Sequence, residues 1–397
     1  MKKEAKKKGN ANSSPDAHSY LAKIKVVGVG GGGGNAVARM KDMMNVRGIE
    51  FVVINTDAQD LDHCEVRKKI YIGKNLTKGL GTGMNPEIGR QAAEESRSEI
   101  AEALRGADLI FVTAGLGGGT GSGGMPLIAE IAREQGALTV AVVTKPFAFE
   151  GAQRARIAQE AFLKIKEKVD TIISVPNDRI FAVIKKDTPI LKAFEFIDGV
   201  LRNAVEGIAE LIASPGIVNV DFADVKTVMA NAGVALVGMG VASGQDRAVS
   251  AVNQAVNSPL LEVSLEGAKG ILFSVSGSRD LRMTEISEIA KVISSAADQS
   301  AKIIFGAYHD RKLRVGQLKV TVVATGFDGH VVHEGSNVPT LFNVEPASGE
   351  SERERERNTG EALQKGASER KSGSPKTAPK EEKDAWDIPT FLRKKRR

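Results

Sequence analysis

The chain has 397 residues, of which 42% are hydrophobic and 5% aromatic, and it carries a formal net charge of +6. This length allows two packed domains, and the single cysteine, Cys64, excludes an intramolecular disulfide, as fits a reducing compartment. No apolar run reaches ~18 residues, which argues against a membrane span. The excess positive charge is concentrated in residues 1–8 and 393–397, which argues against a basic surface that binds nucleic acid.

The amino-terminal segment, residues 1–20, is basic and rich in Lys, Ser and Asn. It lacks the apolar core of a signal peptide, so we predict a disordered tail.

Residues 21–187 alternate short β-branched runs with helical stretches. Strands are predicted over residues 24–29, 51–55, 69–72, 108–114, 138–144 and 171–175. Helices are predicted between most of them, for example over residues 87–104 and 124–135. Near-continuous apolar strands that alternate with helices indicate a Rossmann-like α/β domain, with a parallel sheet covered on both faces. Such sheets bind nucleotides at the carboxyl ends of their strands.

A glycine-rich loop, residues 28–35 (GVGGGGGN), follows the first strand. Consecutive glycines let the backbone approach a polyanion, and the next helix adds the positive end of its dipole. Gly28, Gly30 and Gly33 also satisfy the dinucleotide pattern GxGxxG, so a nicotinamide-dependent oxidoreductase is an alternative.

A second glycine-rich loop, residues 117–123 (GGGTGSG), follows the strand that ends at Ala114. Two such loops at neighbouring strand ends favour a nucleoside triphosphate held between them. Neither loop has the GK[ST] ending of a Walker A motif, so backbone amides, helix dipoles, Thr120 and a cation must bind the phosphates. The alternative is that both loops are merely tight turns.

One long amphipathic helix is predicted over residues 188–214, capped by Asp187 or Thr188, with Pro189 in its first turn. Its apolar positions recur every three or four residues: Ile190, Phe194, Ile197, Leu201, Val205, Ile208 and Ile212. At about 1.5 Å per residue the helix spans roughly 37 Å, long enough to join two domains.

A second, smaller α/β domain is predicted over residues 215–330, with strands over 235–241, 271–275 and 318–324 and a helix over 284–296. Residues 331–383 are poor in large apolar side chains and are predicted to be a disordered linker. The apolar island around Trp386 in residues 384–397 is typical of a docking peptide, although a chance cluster is the alternative.

Several motifs together resemble the tubulin/FtsZ family, beginning with GGGTGSG at residues 117–123. The others are residues 55–59 (NTDAQ), 79–86 (GLGTGMNP), 144–147 (TKPF), 149–151 (FEG) with Arg154, 176–179 (PNDR), 219–225 (NVDFADV) and 387–392 (DIPTFL). The resemblance covers about residues 24–327 and the last peptide, and Met84 is bulkier than the family pattern leads us to expect. It implies a GTPase whose subunits polymerise head to tail.

The resemblance assigns guanine recognition to Asp198 on the long helix. A carboxylate accepts both the N1–H and the 2-amino group of guanine, a donor pair that adenine lacks. Phe194 lies one turn earlier on the same face and would stack on the base, unless it is simply a core residue. Asn35 and Asn177 would contact base or ribose. Glu150 and Arg154 would hold the ribose, or form only a surface ion pair.

The resemblance places the phosphates and their cation in the glycine-rich loops. The phosphate-binding residues are Gly31, Gly32, Gly33, Gly34, Ala58, Gly81, Thr82, Gly83, Asn85, Gly118, Gly119, Thr120 and Gly121. Asn55 and Asp57 would order water around a Mg²⁺, or alternatively K⁺, held mainly by the phosphates.

The catalytic assignment falls on Asn219, Asp221 and Asp224, which follow the far end of the long helix. With roughly 30 Å of helix between them and Asp198, they cannot reach the nucleotide of their own subunit. We expect them to act on the next subunit of a homopolymer, so that GTP hydrolysis requires assembly. The alternatives are that Asn219 and Asp221 only cap a helix beginning near Phe222, or that the protein is a nucleotide-binding scaffold without turnover.

The resemblance further implies that residues 384–397 dock division proteins, a membrane anchor and regulators. Membrane contact would be indirect, and the protein would lie in the cytoplasm at the division site, on the inner face of the membrane. Basic residues 393–397 would add attraction to anionic lipid. No specific nucleic-acid binding is expected, since any such binding would be weak, salt-sensitive and confined to the basic ends.

Overall fold

The computed structural model describes residues 22–44, 46, 48–260, 265–310 and 312–327. The tail over residues 1–20, the linker over 331–383 and the peptide over 384–397 lie outside the described residues. Their predicted roles stay predictions, as do the domain boundaries.

Within the described residues, ten strands form one continuous sheet. They are β1 (Ile24–Val29), β2 (Ile49–Asn55), β3 (Lys68–Tyr71), β4 (Leu109–Gly115), β5 (Leu138–Lys145), β6 (Thr171–Pro176), β7 (Gly233–Ser243), β8 (Gly270–Gly277), β9 (Lys302–His309) and β10 (Gln317–Thr325). Their order is β3-β2-β1-β4-β5-β6-β7-β10-β8-β9. The strands from β3 to β7 pair in parallel, and only β10 runs antiparallel to its neighbours. The predicted fold class, a mostly parallel α/β sheet with a second α/β part, is confirmed.

Eleven α-helices lie within the described residues. They are α1 (Gly30–Met43), α2 (Ala58–His63), α3 (Lys74–Thr77), α4 (Pro86–Glu95), α5 (Arg97–Leu104), α6 (Gly119–Glu134), α7 (Ala152–Lys168), α8 (Ile190–Ala213), α9 (Phe222–Met229), α10 (Arg247–Val256) and α11 (Met283–Ala296). In this part of the chain, none of them has the length and apolar character needed to cross a bilayer.

The parallel strands are buried on both faces, and alternate residues pack on opposite sides. Val26 of β1 and Phe111 of β4 face the side covered by α1, α8 and α9, whereas Val27 and Val112 face the side covered by α4 to α7. This two-sided burial explains why the strands read as continuous apolar runs.

The central helix α8 joins the two halves of the sheet. Its apolar residues, such as Leu201 and Ile208, pack in the same core as Leu272 of β8 and Val323 of β10. Gly207 permits the close approach, because a Cβ there would lie 2.6 Å from a methyl carbon of Thr321. The helix begins after Pro189 and ends before Ser214, and 24 residues make it roughly 36 Å long.

Several predicted boundaries are wrong. The cap of α8 is Pro189 and has no side-chain hydrogen bond, so neither Asp187 nor Thr188 caps it. The helix predicted over residues 87–104 is interrupted at Ser96, which separates α4 from α5. Helix α6 begins at Gly119, five residues before its predicted start, because glycine lets it pack directly on α4: a Cβ at Gly123 would lie 1.8 Å from the Pro86 carbonyl oxygen.

Candidate functional site

Two helix N-termini converge at the carboxyl edge of the parallel sheet. Helix α1 follows β1 without a loop, and α6 begins four residues after β4 ends. The two strands are neighbours, with Val29 paired to Ala114. The glycines that we predicted as loops are therefore the first turns of helices, where backbone N–H groups have no intrahelical acceptor. Together the N-termini form a surface whose free N–H groups and helix dipoles suit an anion.

Glycine is required where these turns touch the sheet and each other. A Cβ at Gly33 would lie 2.4 Å from the Thr113 carbonyl oxygen, and one at Gly121 would lie 2.8 Å from the Gly115 oxygen. Gly30 has a positive φ of 70°, and a Cβ there would lie 3.1 Å from the Gly121 nitrogen. The two first turns are thus in backbone contact.

The remaining glycines assigned to the phosphates differ in surroundings. Gly31, Gly32, Gly34 and Gly118 belong to the same two turns or immediately precede them. A Cβ at Gly118 would meet no heavy atom within 4 Å, so this position is open.

The loop over residues 79–85 closes the third side of this surface. Gly81 and Gly83 have positive φ angles, as does Met84 at 63°, a conformation that suits glycine or asparagine. Asn85 caps α4, since its Oδ1 accepts from the Glu87 N–H at 3.0 Å. The departure at Met84 therefore leaves a methionine in left-handed backbone.

This loop packs against the N-terminus of α6. A Cβ at Gly119 would lie 2.2 Å from the Thr82 hydroxyl oxygen, so glycine is required at that position. The Thr82 and Thr120 hydroxyl oxygens are 3.4 Å apart. The Ala58 N–H donates to the Gly79 carbonyl at 3.2 Å, which attaches α2 to the same loop.

Acidic and amide side chains follow β2 at the same edge. Asp57 caps α2 by accepting from the N–H groups of Gln59 and Asp60 at 3.0 and 3.2 Å. Asn55 Nδ2 donates to Asp60 Oδ2 at 2.7 Å. A Cβ at Gly31 would lie 3.2 Å from Asp60 Oδ2, so a carboxylate faces the first glycine turn. Asp60 was not among the predicted site residues, although it lies three residues after Asp57.

Asp198 on α8 pairs with Arg39 on α1. The Asp198 side chain is 16% exposed, against 42% for Arg39. Burial raises the pKa of Asp198, and the Arg39 guanidinium opposes this by favouring the charged carboxylate. Asn35 is exposed on the same helix as Arg39. Arg39 was missed because no local pattern connects it to a residue 159 positions away.

An aromatic cluster lies beside the first half of α8. Phe147 stacks on Phe149 with ring centroids 4.8 Å apart, and Phe194 approaches Phe147 edge-on at 6.0 Å. Phe194 is 41% exposed, so the alternative that it is simply a core residue does not hold.

Three further predicted site residues lie close to this cluster in the chain. Glu150 ends a 3₁₀ turn after β5 and pairs with Arg154 of α7. Glu150 also accepts from the Phe147 N–H at 2.9 Å. Asn177 follows β6 and is buried, yet its Oδ1 has no hydrogen-bond partner among the described residues. An unpaired buried acceptor is costly, so this position suits a ligand that donates a hydrogen bond.

Asn219, Asp221 and Asp224 are exposed and lie after the other end of α8. Asn219 Oδ1 accepts from the Gly216 N–H at 2.6 Å. Asp221 occupies the N-cap position of α9, but its side chain makes no capping hydrogen bond there. Simple capping therefore does not account for the carboxylate of Asp221.

Helix α9 is attached at the amino edge of the sheet. The Thr171 hydroxyl, at the first residue of β6, donates to the Met229 carbonyl at the end of α9. Asn177 follows the last residue of the same strand. The part of α8 from Asp198, which pairs with α1, to Ala213 is roughly 22 Å long. The acidic segment follows that far end, so it lies away from the glycine turns. The structure brings the predicted nucleotide-binding residues to one edge and does not bring the predicted catalytic residues to it.

These features define the class: an α/β protein with a nucleotide-binding edge built from helix N-termini. Two family models match the chain, the GTPase domain of the Tubulin/FtsZ family over residues 23–185 and the C-terminal domain of the FtsZ family over residues 233–328.

Solved structures agree with these matches. An empty FtsZ dimer from M. jannaschii is 47% identical, with a TM-score of 0.73 over 77% of this chain and 89% of that one. CetZ2 from Haloferax volcanii, a GTPγS-bound protofilament, is 23% identical, with a TM-score of 0.65 over 76% of this chain and 92% of that one. CetZ1 from the same organism, a GDP-bound monomer, is 24% identical, with a TM-score of 0.66 over 80% and 96%. The two CetZ proteins share the fold alone.

The chain belongs to the Tubulin/FtsZ family, and it is a GTPase that binds GTP. The resemblance inferred from the motifs is thereby confirmed, and the oxidoreductase alternative is removed.

Proposed function

We propose that this protein is a cytoskeletal GTPase that assembles head to tail and hydrolyses GTP where two subunits meet. The supporting observation is a separation along α8: Asp198 pairs with Arg39 of α1 beside the glycine turns, whereas Asn219, Asp221 and Asp224 follow the other end of the helix. A rigid subunit of this kind completes its catalytic site only against another copy. The structural relatives include a dimer and a protofilament, which is in keeping with assembly.

The nucleotide edge supplies the groups that GTP needs. The first turns of α1 and α6 would bind the phosphates, Asp198 would accept from the guanine edge, and Phe194 would stack on the base. Glu150, Arg154 and Asn177 would contact the ribose or base. The unpaired Asn177 Oδ1 is the observation that favours an occupant here.

A divalent cation fits the same edge. Asp60 faces the first glycine turn, and Asp57 and Asn55 lie beside it, so a triphosphate entering this edge would meet carboxylates. Mg²⁺ would supply charge neutralisation, with K⁺ as the alternative, while Asn55 and Asp57 would order its water ligands.

Exposed apolar side chains lie at both ends of the subunit. Leu80, Phe149, Ile190 and Leu191 are exposed around the nucleotide edge, and Ile217 is exposed two residues before Asn219. Large exposed apolar residues at two opposite ends favour a head-to-tail contact between copies. The carboxylates of Asp221 and Asp224 would then orient the attacking water in the neighbouring subunit.

Mixing two inactive variants tests the composite site. Asp224→Asn binds GTP but lacks one carboxylate of the acidic segment, and Asp198→Ala keeps that segment but binds GTP poorly. Each alone should release little phosphate. An equimolar mixture should release more than the sum of the two, because the Asp198→Ala subunit completes the site of its neighbour.

The control is wild-type protein across a dilution series, followed by light scattering and phosphate release. Activity per subunit should fall when assembly is lost. Constant specific activity below the assembly threshold, together with no gain in the mixture, would show that each subunit hydrolyses GTP by itself.

We further propose that the filaments form the division ring in the cytoplasm, at the inner face of the membrane. Residues 384–397 would dock an anchor protein and regulators. The 47% identity to FtsZ, against 23% to CetZ2, favours division over another cytoskeletal role. Deleting residues 384–397 should leave sedimentation with GTP unchanged and abolish the mid-cell fluorescence of a tagged protein. Mid-cell rings formed without the peptide would refute this docking role.

A further inference from the structure

Three threonine hydroxyls meet beneath the nucleotide edge, and one of them has no role in the site described above. The Thr56 and Thr120 hydroxyl oxygens are 2.7 Å apart, and Thr82 is 3.4 Å from Thr120 on another side. All three residues are buried, Thr56 completely. Each comes from a different segment: Thr56 follows β2, Thr82 lies in the loop before α4, and Thr120 is in the first turn of α6.

The hydrogen-bond capacity of these groups sets the direction of the chain. A threonine hydroxyl donates one hydrogen bond and accepts up to two. A phosphate oxygen at the N-terminus of α6 only accepts, so Thr120 must donate its single proton to it. Thr120 then accepts from Thr56, which must be the donor in that pair. Without the Thr56 hydroxyl, Thr120 loses the hydrogen bond that fixes the rotation of its own hydroxyl, and its proton is no longer directed to the phosphate.

Thr56 is held firmly enough to impose this direction. Its N–H donates to Asn55 Oδ1 at 2.8 Å, and its carbonyl accepts from the Thr77 hydroxyl at 3.2 Å. The Thr77 hydroxyl also lies 3.1 Å from the Gly73 carbonyl oxygen. Thr56 therefore connects the residues placed near the cation with the turn that faces the phosphates.

We propose that Thr56 is a positioning residue that orients the Thr120 hydroxyl towards the terminal phosphate of GTP. The inference rests on the proposed location of that phosphate between Thr82 and Thr120. It predicts a larger effect on a triphosphate than on a diphosphate, because the diphosphate lacks the group that Thr120 would contact.

The test compares Thr56→Val, Thr56→Ser and Thr113→Val by equilibrium titration with GTPγS and GDP at protein concentrations below assembly. Valine matches the shape of threonine without the hydroxyl, and serine keeps the hydroxyl. Thr113 is the matched control, because its buried hydroxyl on β4 has no hydrogen-bond partner in the part of the chain that the structure describes.

Thr56→Val should weaken GTPγS binding roughly tenfold, with a much smaller change for GDP. Thr56→Ser should restore GTPγS binding, and Thr113→Val should bind both nucleotides as the wild type does. Equal losses for GTPγS and GDP, or no rescue by serine, would reduce Thr56 to a structural residue and overturn the proposal.

A double-mutant cycle with Thr120→Val gives a second reading if Thr56→Val is less stable than the control. Within the Thr120→Val background, changing Thr56 to Val should have no further effect on the ratio of GTPγS to GDP affinity. An additive effect would overturn the proposal. If the wild type binds GTPγS no more tightly than Thr120→Val does, that result would instead contradict the proposed phosphate location itself.

Discussion

Asp198→Asn probes the proposed guanine acceptor with the smallest change in shape. The Asp198 carboxylate is largely buried and pairs with Arg39 across the α1–α8 contact. Asparagine keeps one acceptor oxygen but replaces the other with an NH₂ donor. Guanine presents two donors, N1–H and the 2-amino group, so the amide donor would oppose one of them. Xanthine has an oxygen in place of that amino group and would match the asparagine.

The magnitude follows from the hydrogen bonds that change. A hydrogen bond to a charged group contributes about 1.5–3 kcal/mol, and the opposed donor adds a further cost. We expect GTP binding to weaken by about 3–4 kcal/mol, or roughly 10²–10³-fold, and xanthosine triphosphate to become the preferred ligand. The fold should keep its stability, because Arg39 is 42% exposed and stays hydrated when its partner becomes neutral.

The assay is competition of unlabelled GTP and xanthosine triphosphate against a fluorescent guanine nucleotide, with thermal denaturation as the control for folding. The assignment of Asp198 as the guanine acceptor is supported if the variant keeps its melting temperature and prefers xanthosine triphosphate to GTP. If it keeps GTP affinity within about threefold, or loses both ligands equally, Asp198 does not read the guanine edge.

Three other perturbations follow from the contacts described. Burial raises the pKa of Asp198, so its carboxyl group becomes protonated at a pH above the ordinary aspartate pKa of about 3.9. GTP affinity measured by calorimetry should therefore fall as the pH is lowered through that raised pKa, and an identical profile for Asp198→Asn would contradict this. Met84→Gly should relieve the strain of methionine in left-handed backbone and raise the free energy of unfolding by about 0.5–1 kcal/mol. A lower melting temperature for this variant would show that Met84 is not strained. Arg247 is 4% exposed and pairs with Glu285 and Asp280, so Arg247→Ala should lower the free energy of unfolding, measured in urea, by about 3–5 kcal/mol. The control, Arg282→Ala at the exposed start of α11, should change it little. A loss of less than about 1 kcal/mol in Arg247→Ala would refute a structural role for this ion-pair cluster.

Elements whose signals are local could be predicted from the chain alone. Strand β1 was predicted with both ends correct, because its six buried residues (IKVVGV) are mostly apolar and are followed directly by a run of glycines. The end of α8 at Ser214 was likewise predicted, because its apolar positions recur at helical spacing and Pro215 follows. The two glycine clusters marked the nucleotide edge, because few other roles need so many adjacent glycines.

Contacts between distant residues, by contrast, could not be predicted and were found in the folded molecule. Strand β9 and helix α10 carry weaker local patterns and were not predicted. Asp60, Arg39 and Thr56 entered the candidate site through contacts with Gly31, Asp198 and Thr120, and no spacing in the chain connects such pairs. The distance between the acidic segment and the glycine turns depends on how α8 packs, because Asp198 pairs with α1 and the acidic segment follows the other end of the helix. The local periodicity of apolar residues indicates which face of a helix or strand is buried. Which other element covers that face depends on packing across the whole sheet.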